Sequence, residues 1–361
     1  MKDWKKWFWL LLLLLTTILV IISTHGFLTR FQQPIIQSIK VENSATLRED
    51  ARNKDMGKDE VSGEDKAIAI PQISVDNLFA HVQRLNFTRH TPAERSRTRA
   101  YITSELKKLG WKPQIEKFTD GVNIVAERLG TNQKAGAILV AAHYDTVVVS
   151  PGADDNASGV AVVLEIARLF ASRPTSKTLQ LAFFDQEEAG LLGSKAYVIN
   201  KAHLENLQGA IVMDMVGYAC YTSGCQQYPS GLPIAPNTDK GDFLAVVGDA
   251  EHLSLLNGFQ QSHNTWAVSN QTKEEGITLP PVITIPIPLK GLLTPDTLRS
   301  DHAPFWYQGI GAVLVTDTAN LRTPHYHQPS DVPATIDRNF FAGAAQVVVN
   351  ATTRLLEANL T

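Results

Sequence analysis

The chain has 361 residues, 44% of them hydrophobic and 19% charged, with a formal net charge of -3. A chain of this length buries a substantial core, as one large domain or two smaller ones. The near-neutral balance provides no basic face for a polyanion, so nucleic acid is not expected as a partner.

Lys2, Lys5 and Lys6 precede an uncharged stretch from Trp7 to Thr29, centred on Leu10 to Ile22. At about 1.5 Å per residue such a run covers the roughly 30 Å hydrocarbon core, and the leading lysines favour a cytoplasmic N-terminus with the rest exported. Residues 1–30 are therefore expected to form a membrane anchor, with the remainder of the chain in the periplasm or outside the cell. A cleaved signal peptide is the rival; its apolar region is usually shorter and ends in a small-x-small site, which is not clear near Ser23 to Gly26. The stretch from Gln32 to Ala67 is polar, mixed in charge and almost free of aromatic residues, so residues 31–71 read as a stalk.

Residues 72–361 carry folded periodicity. Val75, Leu78, Phe79, Val82 and Leu85 recur at helical spacing, and a second helix is expected from Pro92 to Leu109, ended by Gly110. Strands are expected at 114–118, 122–128, 137–142, 179–184, 210–213 and 312–316. Between them, Asn156 to Ala171 is apolar nearly all round and reads as a buried helix, and Arg338 to Leu360 closes the chain as another. This alternation predicts an α/β fold, a mostly parallel central sheet flanked by helices. Residues 217–299 are Pro-rich and read as an irregular insertion near the site, with a helical piece around Ala250 to Gln261. The two cysteines, Cys220 and Cys225, fit a small disulfide loop in an oxidising compartment and equally two unpaired thiols.

Five short segments place acids and histidines where strands end. Ala142-His143-Tyr144-Asp145 offers a histidine ligand, with an acid two residues on that can accept its other ring N–H. In Gly152-Ala153-Asp154-Asp155-Asn156 one aspartate suits a helix cap and the other a carboxylate bridging two cations. Phe184-Asp185-Gln186-Glu187-Glu188 discharges a hydrophobic strand into three carboxylates, whose mutual repulsion calls for a cation; adjacent glutamates let one bind metal while its neighbour moves a proton. Asp214 sits between two methionines and demands a partner, and His327 follows the last core strand. Nitrogen and oxygen ligands without thiolate point to zinc first, with manganese and cobalt behind it.

These motifs resemble the M28 family of zinc metallopeptidases, of the bacterial leucyl-aminopeptidase type, from about Ser74 to the C-terminus. The resemblance implies two zinc ions per chain: His143 and Asp214 hold one, Glu188 and His327 the other, and Asp155 bridges them. It implies Glu187 as general base, Asp145 as the acid behind the histidine ligand, and Ser300-Asp301-His302-Ala303-Pro304-Phe305 as a segment at the substrate edge, with Asp301 and His302 as its candidates. Gln328 departs from the threonine common after the ligand histidine. The activity so implied is an aminopeptidase acting on peptide substrates. On the same fold a glutaminyl cyclase is the nearest rival and a carboxypeptidase the next, although the segment 217–299 offers few cations for a carboxylate clamp (Lys240, Lys273, Lys290 and Arg299). A receptor-like ectodomain without catalysis is the non-enzyme alternative.

Overall fold

Strand β3, Ala137–His143, is buried at every position, and its side chains alternate between two apolar clusters. Ile138, Val140 and Ala142 enter one, while Ala137, Leu139 and Ala141 enter the other. Period-two geometry makes this unavoidable, and a strand apolar on both faces needs cover on both. The computed structural model describes residues 69–229, 231–233, 236–260 and 276–358. The expected anchor at 1–30 and all but the last residues of the expected stalk lie outside them. Among the described residues no helix is long and apolar enough to cross a membrane.

Eight strands, β1 (Gln114–Lys117), β2 (Val122–Arg128), β3, β4 (Thr178–Phe184), β5 (Leu207–Met213), β6 (Leu244–Asp249), β7 (Val282–Ile287) and β8 (Ala312–Thr316), form one sheet. Its order is β1-β2-β4-β3-β5-β8-β6-β7. The centre, β4-β3-β5-β8, is parallel as expected. Strands β6 and β7 are parallel too, so four of the seven neighbouring pairs are parallel, and the sheet as a whole is mixed because β1 and β2 form a hairpin, β2 runs against β4, and β6 runs against β8.

Helices α1 (Val75–Arg84), α2 (Pro92–Lys108), α3 (Gly159–Leu169) and α6 (Arg338–Glu357) supply one face with residues such as Leu78, Ile102, Val163 and Phe341. Helices α4 (Leu192–Ile199) and α5 (Ala303–Tyr307) supply the other with Tyr197, Phe305 and Trp306. Local chemistry starts these helices where it should. Thr91 and Glu94 form a reciprocal capping box at the head of α2, with Pro92 in its first turn, and Asp337 accepts the amides of Asn339 and Phe340 at the head of α6.

Segment 217–299 is not a plain irregular insertion, since it contributes β6 and β7 to the main sheet. Strand β7 contains Pro286, which lacks a ladder donor, and it is tolerated because β7 is the edge of the sheet. Helix α3 starts at Gly159, not Asn156, after an irregular turn from Ala153 to Ser158 in which Asp155 and Asn156 leave helical geometry.

Candidate metal centre

The ends of the parallel strands converge at the carboxyl edge of the sheet, where open α/β folds hold their ligands. His143 is the last residue of β3, Glu187 and Glu188 follow β4, and Asp214 follows β5; Asp155 lies in the turn before α3, and His327 in the loop after β8. His143 Nε2 stands 3.3 Å from Asp155 Oδ1 and 3.5 Å from Asp214 Oδ1. His327 Nε2 stands 3.0 Å from Glu188 Oε2 and 3.3 Å from Asp155 Oδ2. Two three-residue ligand sets thus share Asp155, each with its ligand atoms within 4.8 Å of one another.

The residues fit a metal on their own chemistry. His143 Nε2 and Glu188 Oε1 are buried and make no hydrogen bond. Buried polar atoms are ordinarily paired, and carboxylates that face an imidazole nitrogen without bonding to it are what converging metal ligands look like before the ion is counted. Carboxylate and imidazole donors without thiolate suit zinc.

Behind these groups, the loops are locked to one another by hydrogen bonds between side chains and the main chain. Asp145 accepts the amides of Glu187 at 3.0 Å and Glu188 at 3.2 Å. Its Oδ1 is 3.6 Å from His143 Nδ1, too far for the hydrogen bond expected from the sequence, because both oxygens are turned to those amides. Asp331 likewise accepts the amides of Asp154 at 2.8 Å and Asp155 at 3.0 Å, tying the His327 loop to the acid that both ligand sets share. Arg89, fully buried, donates to the carbonyls of Tyr144, Pro151 and Gly152 and so joins the His143 strand end to the Asp155 turn. Asp154 caps no helix; it accepts the Gly217 amide at 2.8 Å. Asp185 is no part of the cluster either, since its carboxylate is neutralised by Arg95 at 2.9 Å.

Electrostatics marks the same residues. Burial pushes the Glu187 carboxyl well above its ordinary range, with Asp214, Asp301 and Glu188 adding to the rise against the opposing pull of His143. Burial and Asp155 raise Glu188 to about 7, although His327 works against them. Asp155 is held low, its burial outweighed by the two imidazoles it faces. Burial would lower His143 and His327, but the surrounding carboxylates raise both, His327 to about 10.

Asp301 and His302 are fully buried and do not line the cleft, contrary to their expected place at the substrate edge. Asp301 accepts from Ser194 Oγ, and His302 Nε2 donates to the Thr297 carbonyl at 2.8 Å with its ring against Trp306. The segment turns its polar pair inward because Ala303, Phe305 and Trp306 pack into the core. The preceding Arg299 does reach the cleft, as does Tyr326, whose ring stacks on His327 at 3.7 Å. The cleft, about 380 Å³, also takes in Asp155, Glu187, Glu188 and Asp214. Beside it lies a narrower pocket of about 190 Å³, lined by Leu232, Phe243, Val247, Ile285 and Leu314. Cys220 and Cys225 form a disulfide in the loop leading to this pocket.

The peptidase family M28 model matches residues 123–237, which hold His143, Asp155, Glu187, Glu188 and Asp214. Aminopeptidase YwaD of Bacillus subtilis (strain 168) is 30% identical over 247 residues, 66% of this chain and 46% of YwaD. The chain belongs to peptidase family M28. It spans less than half the length of that curated relative. Among solved structures this M28 chain shares its fold with LapA aminopeptidase of Legionella pneumophila, with a TM-score of 0.61 and 19% identity over 79% of this chain and 73% of LapA. It shares the fold also with a glutaminyl cyclase of Porphyromonas gingivalis, with a TM-score of 0.56 and 21% identity over 79% of this chain and 99% of the cyclase. Fold therefore does not separate the two activities.

Proposed function

We propose that this M28 chain is a zinc-dependent aminopeptidase that removes N-terminal residues from peptides, with two zinc ions per chain. The observation that carries the reading is the pair of ligand sets sharing Asp155, His143 with Asp214 and Glu188 with His327. Zinc, when bound, supplies a Lewis acid for the scissile carbonyl and makes water easier to ionise. Glu187 takes the proton of the attacking water and delivers it to the leaving amine. A carboxyl with raised proton affinity suits both halves of that transfer. Glu188 and Asp214 offer negative charge to the substrate's free amino group, which favours an N-terminal over an internal cut. No covalent intermediate is required.

The test is Glu187→Gln assayed on aminoacyl p-nitroanilides and short peptides, with metal content measured by elemental analysis. A loss of about 10²- to 10⁴-fold in kcat with two zincs retained is expected; near-normal hydrolysis in that variant defeats the reading. Peptides beginning with glutamine separate aminopeptidase from cyclase, since cyclisation releases ammonia and leaves the chain whole. Acetyl-blocked peptides separate it from carboxypeptidase. We also infer a catalytic domain held outside the cytoplasm, supported by the Cys220–Cys225 disulfide and the apolar run from Trp7 to Thr29. Protease accessibility on intact cells checks that location.

A further inference from the structure

Four cations in segment 217–299 bear on a carboxylate clamp, and of those described only one meets the cleft. Lys290 pairs with Glu251 at 3.4 Å. Lys240 lines neither the cleft nor the apolar pocket, and Lys273 lies outside the described residues. Arg299 lines both, at the wall that also presents Asp214 and Tyr326 to the two spaces.

The arginine is held in place without being neutralised. Its Nη1 donates to Asn320 Oδ1 at 3.0 Å and its Nη2 to the Tyr326 hydroxyl at 3.2 Å, with the guanidinium carbon 5.9 Å from that ring's centre. Guanidinium has five N–H donors in a rigid plane, so two neutral contacts orient it and leave the others available. Arg95, Arg168 and Arg338 each face a carboxylate of this chain, whereas Arg299 has none among the described residues. Lys195, the other cation at the cleft, is exposed, gives its ammonium to the Gly190 carbonyl at 2.8 Å and does not reach the apolar pocket.

We propose that Arg299 recognises a carboxylate that the substrate carries next to the scissile bond. The inference rests on the aminopeptidase reading and narrows its substrates to peptides acidic at that point. Two sources present the same chemistry: the side chain of an N-terminal aspartate or glutamate at the pocket mouth, and the C-terminal carboxylate of a dipeptide. A planar guanidinium matches either one with two parallel N–H···O bonds. The exposure of Arg299 weakens the pair through solvent screening, so the preference is modest.

Two matched substrate pairs, hydrolysed by the purified full chain loaded with zinc, test it. Aspartyl against asparaginyl p-nitroanilide reads the side-chain source; Leu-Gly against Leu-Gly-amide reads the C-terminal source. In one of the pairs kcat/KM is expected to favour the acid about five- to tenfold. Arg299→Gln is expected to bring that ratio to about one, whatever it does to turnover in general, and Arg299→Lys to retain part of it. The ratio cancels any general damage, including a disturbed Tyr326. Equal rates within both pairs overturn the proposal, as does a preference that survives in Arg299→Gln and disappears in Lys195→Ala. Hydrolysis of none of the four substrates overturns the aminopeptidase reading itself, and this inference with it.

Discussion

Asp145 shows how far a residue's role can be read before its neighbours are known. Its type and its position two residues after His143 mark it as an acid of the site, but the amides it holds belong to Glu187 and Glu188, more than forty residues on. That partnership depends on which loops the sheet order brings together, and local sequence does not carry it. Asp145→Ala frees both amides, and the loop bearing Glu187 and Glu188 loses its anchor. Zinc affinity is expected to fall about ten- to a hundredfold, read by competition with a chromophoric chelator. His302 had a motif but the wrong address. Full burial lowers its pKa from 6.5 to about 4, against the Thr297 carbonyl that would raise it. Above pH 6.5 both folded and unfolded chains hold it neutral and it contributes nothing to pH dependence. As pH falls below 6.5 the unfolded chain takes up the proton while the folded one resists, so stability drops towards pH 4. Between pH 7 and 5 that group removes about 2 kcal/mol, so the deficit of His302→Gln relative to wild type in urea unfolding is expected to shrink by about that amount.

At the scale of elements, most strands apolar on both faces announce themselves, whereas β6, buried at every position but set in the Pro-rich segment, was missed, and turns do not announce themselves at all. The central strands were readable because continuous burial demands Val, Ile, Leu and Ala in runs, as in Ile138 to Ala142. Strand β7 escaped because Pro286 argues against a central strand, and only its edge position makes it acceptable. The Asp155 turn shows the same limit. Gly152 has φ +62, and a Cβ there would lie 2.2 Å from the Asp155 carbonyl oxygen and 2.7 Å from Arg89 Nη2. Neither a backbone carbonyl nor an arginine committed to several carbonyls can give way cheaply. Gly152→Ala is therefore expected to lose about 1–2 kcal/mol from the left-handed backbone alone. It is also expected to displace the Asp155 carboxylate, which both ligand sets share, so zinc content falls along with the melting temperature. A variant that melts lower but keeps full zinc content would separate fold strain from site geometry and contradict the coupling of this turn to the metal.

Across the whole molecule, the carboxyl edge of one sheet holds Asp155, Glu187, Glu188, Asp214 and Asp301 close together, and the fold must tolerate that charge. In the metal-free protein the tolerance comes from protons: Glu188 at about 7 and His327 at about 10 are both partly or fully protonated at neutral pH. Zinc requires the carboxylate and the neutral imidazole, so each ion that enters displaces protons, and affinity must rise with pH through this range. Zinc binds the folded chain and not the dispersed ligands of the unfolded one, so it stabilises by an amount set by its concentration relative to Kd, about 2.7 kcal/mol at a hundredfold excess over Kd. Chelation is therefore expected to lower the melting temperature, and restoring zinc to recover it. At a fixed free zinc concentration the gap between loaded and chelated protein should widen from pH 6 to pH 8, because Kd tightens as the competing protons leave. Differential scanning calorimetry at buffered zinc reads both effects. A gap that stays constant or narrows with rising pH would mean that the ligands carry no protons for zinc to displace, and that the acids are neutralised by the protein itself rather than by the metal.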